Sequence, residues 1–311
     1  MTLIQTLITD DLIIQVADRR LTNAATGMLV DDQYTKLVCW NFNFSIGFTG
    51  LARIDRAQRR STSEWIAETI CDYGLFEDGV AALARVASER VGKLPKAWPD
   101  KRLGILVAGF DGRTDPLVAE IANFEAGGPM PGDPTNFTVK RVSRLQGRAV
   151  GYRITGAGLT EKWQHQMLIQ RVPRALRKPK PEGVTYAVKL MVAVQRSIAK
   201  TNSRVGTDAM AVTIPRTTFG ERILAHLNGG RIMTKVDSNI IGGTGGPEFT
   251  YFDTEGFDYR QFGPHTAGNG MAVADLMSTA DPDNPDYQSV SIRILKWPKP
   301  PAQSGARTQP G

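Results

Sequence analysis

MTLIQTLITDDLIIQVADRR (1–20) opens the chain with two runs of Leu, Ile, Val and Thr on either side of Asp10 and Asp11. Apolar runs of this length around a short polar break predict a β-hairpin. Chain ends are usually loose, so a strand that starts at the second residue is unexpected. The same hairpin returns Asp18 and Arg20 to the neighbourhood of the chain start.

Composition limits the class of protein. The chain has 311 residues, of which 41% are hydrophobic and 22% charged, as in ordinary globular proteins. No apolar run approaches the ~18 residues that predict a transmembrane helix. The start lacks the basic and apolar segments of a signal peptide, so we expect a cytoplasmic protein. Cys39 and Cys71 are then expected to be reduced and buried.

The charge pattern predicts no special partner. The formal net charge is +7, and the basic residues are scattered apart from residues 56–60 and 174–181. This distribution favours a solvated surface, so we expect neither a nucleic-acid nor a membrane partner. The three histidines lack metal-ligand spacing, and no zinc motif, P-loop or complete G-x-G-x-x-G is present. We therefore expect no metal and no cofactor.

Periodicity predicts the order of the elements. Strands are predicted at residues 2–9, 12–20, 35–40, 44–50, 102–110, 116–124, 136–145, 148–155 and 208–216, and helices at 61–74, 78–94, 156–172 and 184–201. The helices come in consecutive pairs instead of alternating with single strands. That order predicts an α+β fold in which antiparallel sheets carry helices outside. Apolar residues on both faces of the strands predict sheets that are covered on both sides.

The pattern weakens beyond residue 216. Residues 221–234 fit a strand or a helix, residues 289–297 fit a final strand, and the glycine-rich residues 241–249 fit a turn better than a phosphate cradle. We divide the chain into a core at 2–215, a C-terminal extension of unknown role at 216–297 and a tail at 298–311 that is disordered by composition.

Thr2 has the potential for nucleophilic catalysis. Removal of Met1, which a small second residue favours, would leave the Thr2 α-amine beside its own hydroxyl. An α-amine has a pKa near ~8 and can serve as the base that a hydroxyl nucleophile needs. Lys36 is a candidate for lowering the pKa of the hydroxyl, with Asp18 holding the lysine. The backbone N–H of Gly50, in a turn, is a candidate oxyanion donor.

Four motifs together resemble the proteasome β-type subunits of the N-terminal-nucleophile (Ntn) hydrolase superfamily. They are Thr2 as the mature first residue, A-D-R-R (17–20), T-K-L (35–37) and G-F-T-G-L-A-R-I-D (47–55). The order of predicted elements through residue 215 is also similar, and this part is about two thirds of the chain. The resemblance implies a four-layer αββα sandwich, here with a C-terminal extension.

The resemblance also implies a role for each matching residue. Thr2 would be the nucleophile and, through its amine, the base; Lys36 would tune it. Asp18 would orient Lys36 and the α-amine of Thr2. Arg20 would support the ion-pair cluster, and the Gly50 N–H would bind the oxyanion. The implied activity is that of a threonine peptidase or amidohydrolase acting on peptides or unfolded proteins without a cofactor. Family members form rings, so a homo-oligomer is expected, with an unfoldase partner left open.

Two positions depart from the family pattern. The turn Gly156-Ala157-Gly158 has no hydroxyl where the family has Gly-Ser-Gly. Asn202 and Ser203 stand where the family places an Asp and a Ser close to the amine, and they are the candidate supporting residues. These departures keep two alternatives open: a catalytically degenerate subunit with a structural or interaction role, and an Ntn amidase that acts on a small molecule.

Overall fold

The structure, a computed structural model, describes residues 2–55, 57, 60–98, 100–111, 116–125, 132–142, 150–216, 248–252, 264–281 and 284–298. Within these ranges the chain is mixed α and β, which confirms the predicted α+β class. The predicted element at 221–234, residues 241–247 of the turn predicted at 241–249, and the tail beyond Pro298 lie outside the described residues. Glu248 and Phe249, the last two residues of that predicted turn, belong to a strand. None of the described helices is both long enough and apolar enough to cross a bilayer.

The described strands and helices have the following bounds. The strands are β1 (Leu3–Thr9), β2 (Leu12–Asp18), β3 (Leu21–Thr22), β4 (Leu29–Asp31), β5 (Leu37–Trp40), β6 (Phe44–Gly50), β7 (Leu103–Gly109), β8 (Leu117–Ala122), β9 (Thr138–Arg141), β10 (Val150–Gly156), β11 (Ala209–Pro215), β12 (Glu248–Phe252), β13 (His265–Gly268), β14 (Met271–Asp281) and β15 (Asn284–Lys296). The helices are α1 (Thr62–Ile70), α2 (Phe76–Gly92), α3 (Lys162–Gln166), α4 (Val172–Ala175) and α5 (Glu182–Thr201), and a π-helical turn (Met167–Arg171) joins α3 to α4.

The first sheet has the strand order β10-β1-β2-β11-β12, and every neighbouring pair is antiparallel. The predicted opening hairpin is confirmed as β1 and β2, in the register that pairs Ile4 with Ala17. Every residue of both strands is buried. A strand buried along its whole length has both faces covered, as the sequence predicts.

The second sheet has the order β15-β14-β13-β5-β6-β7-β8-β9. Its pairs are antiparallel except for β13 and β5, which run parallel and pair His265 with Val38. The predicted final strand at 289–297 is part of the longer β15. The described strands of the C-terminal extension are divided between the sheets, because β12 joins the first sheet and β13–β15 join the second.

Three apolar clusters account for the buried core. One joins α1 and α2 to the second sheet around Trp40 and Trp65. Another joins α5 and the π turn to the first sheet around Leu7 and Met191. The remaining cluster joins the two sheets to each other through residues such as Ile13 and Leu106. Burial of apolar side chains in these three clusters supplies the main favourable free energy of folding.

Local sequence explains where α1 begins. Ser61 and Glu64 form a capping box, in which each side chain accepts a hydrogen bond from the backbone N–H of the other residue. The helix ends at Ile70, four residues before the end predicted at Gly74. The Tyr73 N–H then donates to the Ile70 carbonyl in a tighter turn, so Gly74 is not the helix stop.

The helix predicted at 156–172 begins later, at Lys162, because β10 continues to Gly156. It also extends further, to Ala175, through the π turn. Pro173 lacks the N–H that a regular α-helix needs at this position. The Val172 N–H donates to the Met167 carbonyl five residues back, so the helix widens by one residue just before the proline.

Candidate active site

The carboxylate of Asp18, at the end of β2, is the centre of the candidate site. The β1–β2 register places Leu3 opposite Asp18, and Oδ1 accepts a hydrogen bond from the Leu3 N–H at 2.8 Å. Oδ2 accepts a hydrogen bond from Lys36 Nζ at 2.9 Å. Asp18 is 0% exposed, so the carboxylate joins the backbone beside Thr2 directly to the ammonium of Lys36.

Two further backbone donors complete the environment of Asp18. The N–H groups of Arg20 and Gly206 each lie 3.1 Å from Oδ2. A buried carboxylate requires such donors, because an unpaired buried charge is very unfavourable. Gly206 is a functional neighbour that the motifs did not select. A Cβ on Gly206 would lie 2.7 Å from the Cβ of Arg20, so glycine allows the loop before β11 to approach this closely.

Lys36 is enclosed by the same group of residues. It is 3% exposed, and its Nζ donates to Asp18 Oδ2 and to the Arg20 carbonyl. Burial lowers the pKa of the Lys36 ammonium, while the negative charges of Asp18 and Asp31 oppose that shift. Lys36 is thus a lysine with two fixed acceptors and a depressed pKa, as expected for a residue that adjusts a neighbouring nucleophile.

Thr2 is fixed through its backbone at the start of β1. It is 8% exposed, and its carbonyl accepts a hydrogen bond from the Ala157 N–H at 2.7 Å. Gly156 precedes that donor with φ +94°, a conformation that favours glycine. A Cβ on Gly156 would lie 1.8 Å from the Thr2 carbonyl oxygen and 2.9 Å from Thr49 Oγ1. The turn and Thr49 therefore enclose the backbone of Thr2 closely.

Gly50 lies at the end of β6, and its position requires glycine. Its φ is +96°, and a Cβ would lie 2.0 Å from the Arg102 carbonyl oxygen. The Leu51 N–H donates to that carbonyl at 2.9 Å, so Gly50 and Leu103 form a non-hydrogen-bonded pair of the antiparallel ladder. The Gly50 N–H consequently points away from β7, toward the side of the sheet that carries β5.

The supporting residues fall into two groups. Arg20 donates from Nε to Asp32 at 2.8 Å and from Nη1 to the Ser203 carbonyl at 3.2 Å, so Ser203 reaches the cluster through its backbone. Asn202 ends α5, and its side chain accepts from the Arg204 N–H within its own loop. The structure thus brings together Asp18, Lys36, Arg20 and the backbone of Ser203, and it leaves the Asn202 side chain in a local turn.

The turn at Ala157 contributes only backbone to this site. Its methyl group is buried, and its N–H is already bonded to Thr2. The Ala157 side chain therefore has no hydroxyl to offer a neighbouring amine. Val205, which precedes Gly206, is also buried and packs in the apolar cluster under α5.

A comparison of the sequence with protein-family models gives no match, and a search of curated proteins gives no relative.

Proposed function

We propose that this chain is a threonine-type Ntn hydrolase of the proteasome β-subunit type that cleaves amide bonds once Met1 has been removed. The proposal includes the fold: the three apolar clusters fit a four-layer αββα sandwich. The observation that supports it best is the buried Asp18 carboxylate, which binds the Leu3 N–H on one oxygen and Lys36 on the other. A carboxylate so placed connects a lysine to the residue that follows the proposed nucleophile.

The reaction divides into two acyl transfers. Oγ of Thr2 attacks the carbonyl carbon of the amide, and the hydroxyl proton passes to the Thr2 α-amine. The Gly50 N–H stabilises the negative oxygen of the tetrahedral intermediate. The C–N bond then breaks, the leaving amine takes the proton from the α-ammonium, and an ester to Thr2 remains. Water, activated by the same amine, hydrolyses the ester and restores Thr2.

Lys36 and Asp18 supply electrostatics in this scheme. A positive charge near Oγ favours its deprotonated form and lowers the pKa of the α-amine, so that the amine is neutral and able to accept a proton. Asp18 fixes Nζ and offsets the effect of burial on the lysine. Arg20, bound to Asp32, fixes the carbonyl that Nζ also binds.

Intact mass spectrometry tests the proposal. The chain is expressed with its natural start, and its mass is measured before and after treatment with a peptide epoxyketone, which reacts with both the amine and the hydroxyl of an N-terminal threonine. We expect loss of Met1 and one equivalent of adduct at Thr2. The variant Thr2→Ala, which also favours Met1 removal, should form no adduct. Retention of Met1, or equal labelling of Thr2→Ala, would contradict the mechanism.

A catalytically degenerate subunit is the second candidate. The side chain of Ala157 favours it, because this turn residue offers no hydroxyl to the amine. Loss of Met1 without any adduct supports this candidate over the first. A homo-oligomer is proposed in both cases, and native mass spectrometry measures its size.

An Ntn amidase for small amides is the third candidate. It shares the nucleophile with the first candidate and differs only in substrate. Adduct formation at Thr2 combined with no turnover of an unfolded protein or a fluorogenic peptide library supports it. Peptide turnover that the epoxyketone abolishes supports the first candidate.

A further inference from the structure

The helical layer over the first sheet concentrates the basic charge of the chain. Between residues 162 and 204 the sequence has ten Lys and Arg residues and one acidic residue, Glu182, which gives this segment a net charge of +9. The whole chain has a net charge of +7, so everything outside the segment together has −2. The net positive charge of the chain therefore lies in this segment, which includes the basic run at residues 174–181.

The packing of the helices places most of these charges on the outside. The apolar sides of the π turn, α4 and α5 are buried against β1, β2 and β11. The exposed members of the basic set are Lys162, Arg171, Arg174, Arg177, Lys178, Lys180, Lys189 and Lys200. Lys162, Arg171, Arg174, Lys189 and Lys200 lie within the helices and the π turn, where residues excluded from the apolar side lie on the outer face. Arg177, Lys178 and Lys180 lie in the exposed connection between α4 and α5.

Most of these cations lack an acidic neighbour. Among the described residues, the ion pair formed by this set is that of Lys180 with Asp11, at 3.2 Å. Lys178 lies over the ring of Tyr186, 4.8 Å from its centroid. Arg171, Arg174 and Arg177 follow one another at every third position through the π turn, α4 and the turn after α4. None of the three forms an ion pair with a described carboxylate. Like charges at such spacing repel one another, and a polyanion would relieve that repulsion.

We propose that the outer face of the π turn, α4 and α5 binds the phosphate backbone of a nucleic acid without sequence preference. This occupant fits the charge: a duplex presents one negative charge per about 1.7 Å of its axis and binds cationic surfaces by releasing counterions. The proposal is independent of the hydrolase site. It also differs from the sequence-based expectation of no nucleic-acid partner, which took the basic residues for a solvated surface.

Two other occupants fit the surface less well. Adsorption to a membrane by an amphipathic helix requires an apolar face turned to the lipid, and the apolar faces of these helices are turned to the sheet. Among the described residues, the large apolar side chains exposed on this layer are those of Trp163, Ile169 and Tyr186, at 39%, 62% and 44%. They are separate in sequence, and Lys178 lies over the Tyr186 ring. A second copy of the chain offers no matching charge, since everything outside the basic segment has a net charge of only −2.

Fluorescence anisotropy with a labelled mixed-sequence DNA duplex tests the proposal. With about five phosphate contacts, the affinity should fall about 500-fold as the salt rises from about 50 to about 200 mM. The variant Arg171→Gln/Arg174→Gln/Arg177→Gln should lower the affinity at least about tenfold and reduce the slope of log affinity against log salt by about three. These side chains are exposed, so the variant should keep its unfolding midpoint.

A matched variant separates this surface from net charge. Lys93→Gln/Lys96→Gln/Lys140→Gln removes three exposed charges elsewhere and brings the chain from +7 to the same +4. We expect its affinity to change less than about threefold. Equal losses in the two triple variants, or no binding at about 50 mM salt, would overturn the proposal. Binding to phosphatidylserine vesicles without DNA binding, or dissociation of a homo-oligomer by the arginine variant without DNA binding, would also overturn it.

Discussion

Asp18→Asn is the most informative single substitution in this chain. The amide has the shape of the carboxylate but no charge, and its two ends differ. Oδ1 of Asp18 faces one donor, the Leu3 N–H, and Oδ2 faces three donors, Lys36 Nζ and two backbone N–H groups. Asparagine would turn its oxygen to the three donors, and its NH₂ group would then oppose the Leu3 N–H. One backbone hydrogen bond is lost, and the Lys36 charge loses its counterion.

The expected cost follows from the burial of the pair. The side chains of Lys36 and Asp18 are 2% and 0% exposed, and removal of one partner from a buried ion pair costs about 3–5 kcal/mol. We therefore expect Asp18→Asn to lower the free energy of unfolding by about this amount. The control Asp32→Asn removes a carboxylate that is 39% exposed and pairs with Arg20. That pair is largely solvent-screened, so the control should cost no more than about 1 kcal/mol.

The pH dependence gives a second readout. Burial already lowers the pKa of Lys36 below 10.5, and Asp18 opposes that shift. Without the carboxylate the folded-state pKa falls further. Burying the Lys36 ammonium destabilises the folded protein at every pH below the folded-state pKa of Lys36. This destabilisation decreases as the pH rises from the folded-state pKa toward the pKa of the unfolded chain. The stability difference between the wild type and Asp18→Asn should therefore narrow as the pH rises through the folded-state pKa of Lys36 toward 10.5.

Urea unfolding followed by the fluorescence of the buried Trp40 and Trp65 measures both effects. The double variant Asp18→Asn/Lys36→Met closes a thermodynamic cycle, and we expect a coupling energy of about 2 kcal/mol because an uncharged pair leaves no unpaired ammonium. The reasoning would be refuted if Asp18→Asn lowered the free energy of unfolding by less than about 1 kcal/mol and this difference did not change as the pH rose. Lys36 would then not depend on Asp18 for its charge.

Three further changes test other parts of the molecule. Ala157→Ser restores a hydroxyl beside Thr2, and under the proposed mechanism it should raise the rate of epoxyketone labelling about tenfold, measured by intact mass. Gly79→Ala should destabilise α2 by about 1–3 kcal/mol despite the higher helix propensity of alanine, because the new Cβ would lie 2.5 Å from Trp40 Cη2. Burial raises the pKa of the Glu64 carboxyl, and the Ser61 N–H and Arg293 together lower it below its ordinary value. Arg293→Ala removes the ion pair from this balance. The variant should therefore unfold at a lower temperature than the wild type at any pH above 4.5, the ordinary pKa of a glutamate. This difference should disappear as the pH falls below the pKa that Glu64 has in the folded protein.

Each of these changes has a control. Labelling of Ala157→Gly measures the effect of altering the turn without adding a hydroxyl, and a rate equal to that of Ala157→Ser would contradict the prediction. Gly92→Ala, near the end of the same helix as Gly79, places its Cβ 3.3 Å from Thr135 Cγ2, so its free energy of unfolding should change less than about 1 kcal/mol. If Gly79→Ala raised the free energy of unfolding, the prediction would be wrong, and Trp40 would have to move away from the new Cβ. A destabilisation by Arg293→Ala that is independent of pH would show that its packing matters and its charge does not.

The sequence predicted the elements whose cause is local. The opening hairpin, the hairpin of β5 and β6, the two helices that follow and the long α5 arise from apolar periodicity and turn residues within each segment. Errors occurred where neighbours in space decide the boundary: β10 delays the start of α3, and Pro173 is accommodated by a π turn. The strands β3 and β4 were missed because Met28, Leu29 and Val30 lie exposed, without the alternation that burial of one face produces.

The sequence by itself also selected Thr2, Asp18, Lys36 and Gly50, because these residue types and their spacing match a known motif. Only the tertiary structure decided which atoms meet. Gly206 reaches Asp18 across 188 positions of sequence, and the meeting depends on β11 pairing with β2, which has no local signature. The same reason applies to the basic layer. Charges that are dispersed along a helix in sequence become one surface only when the apolar side of that helix is buried against a sheet.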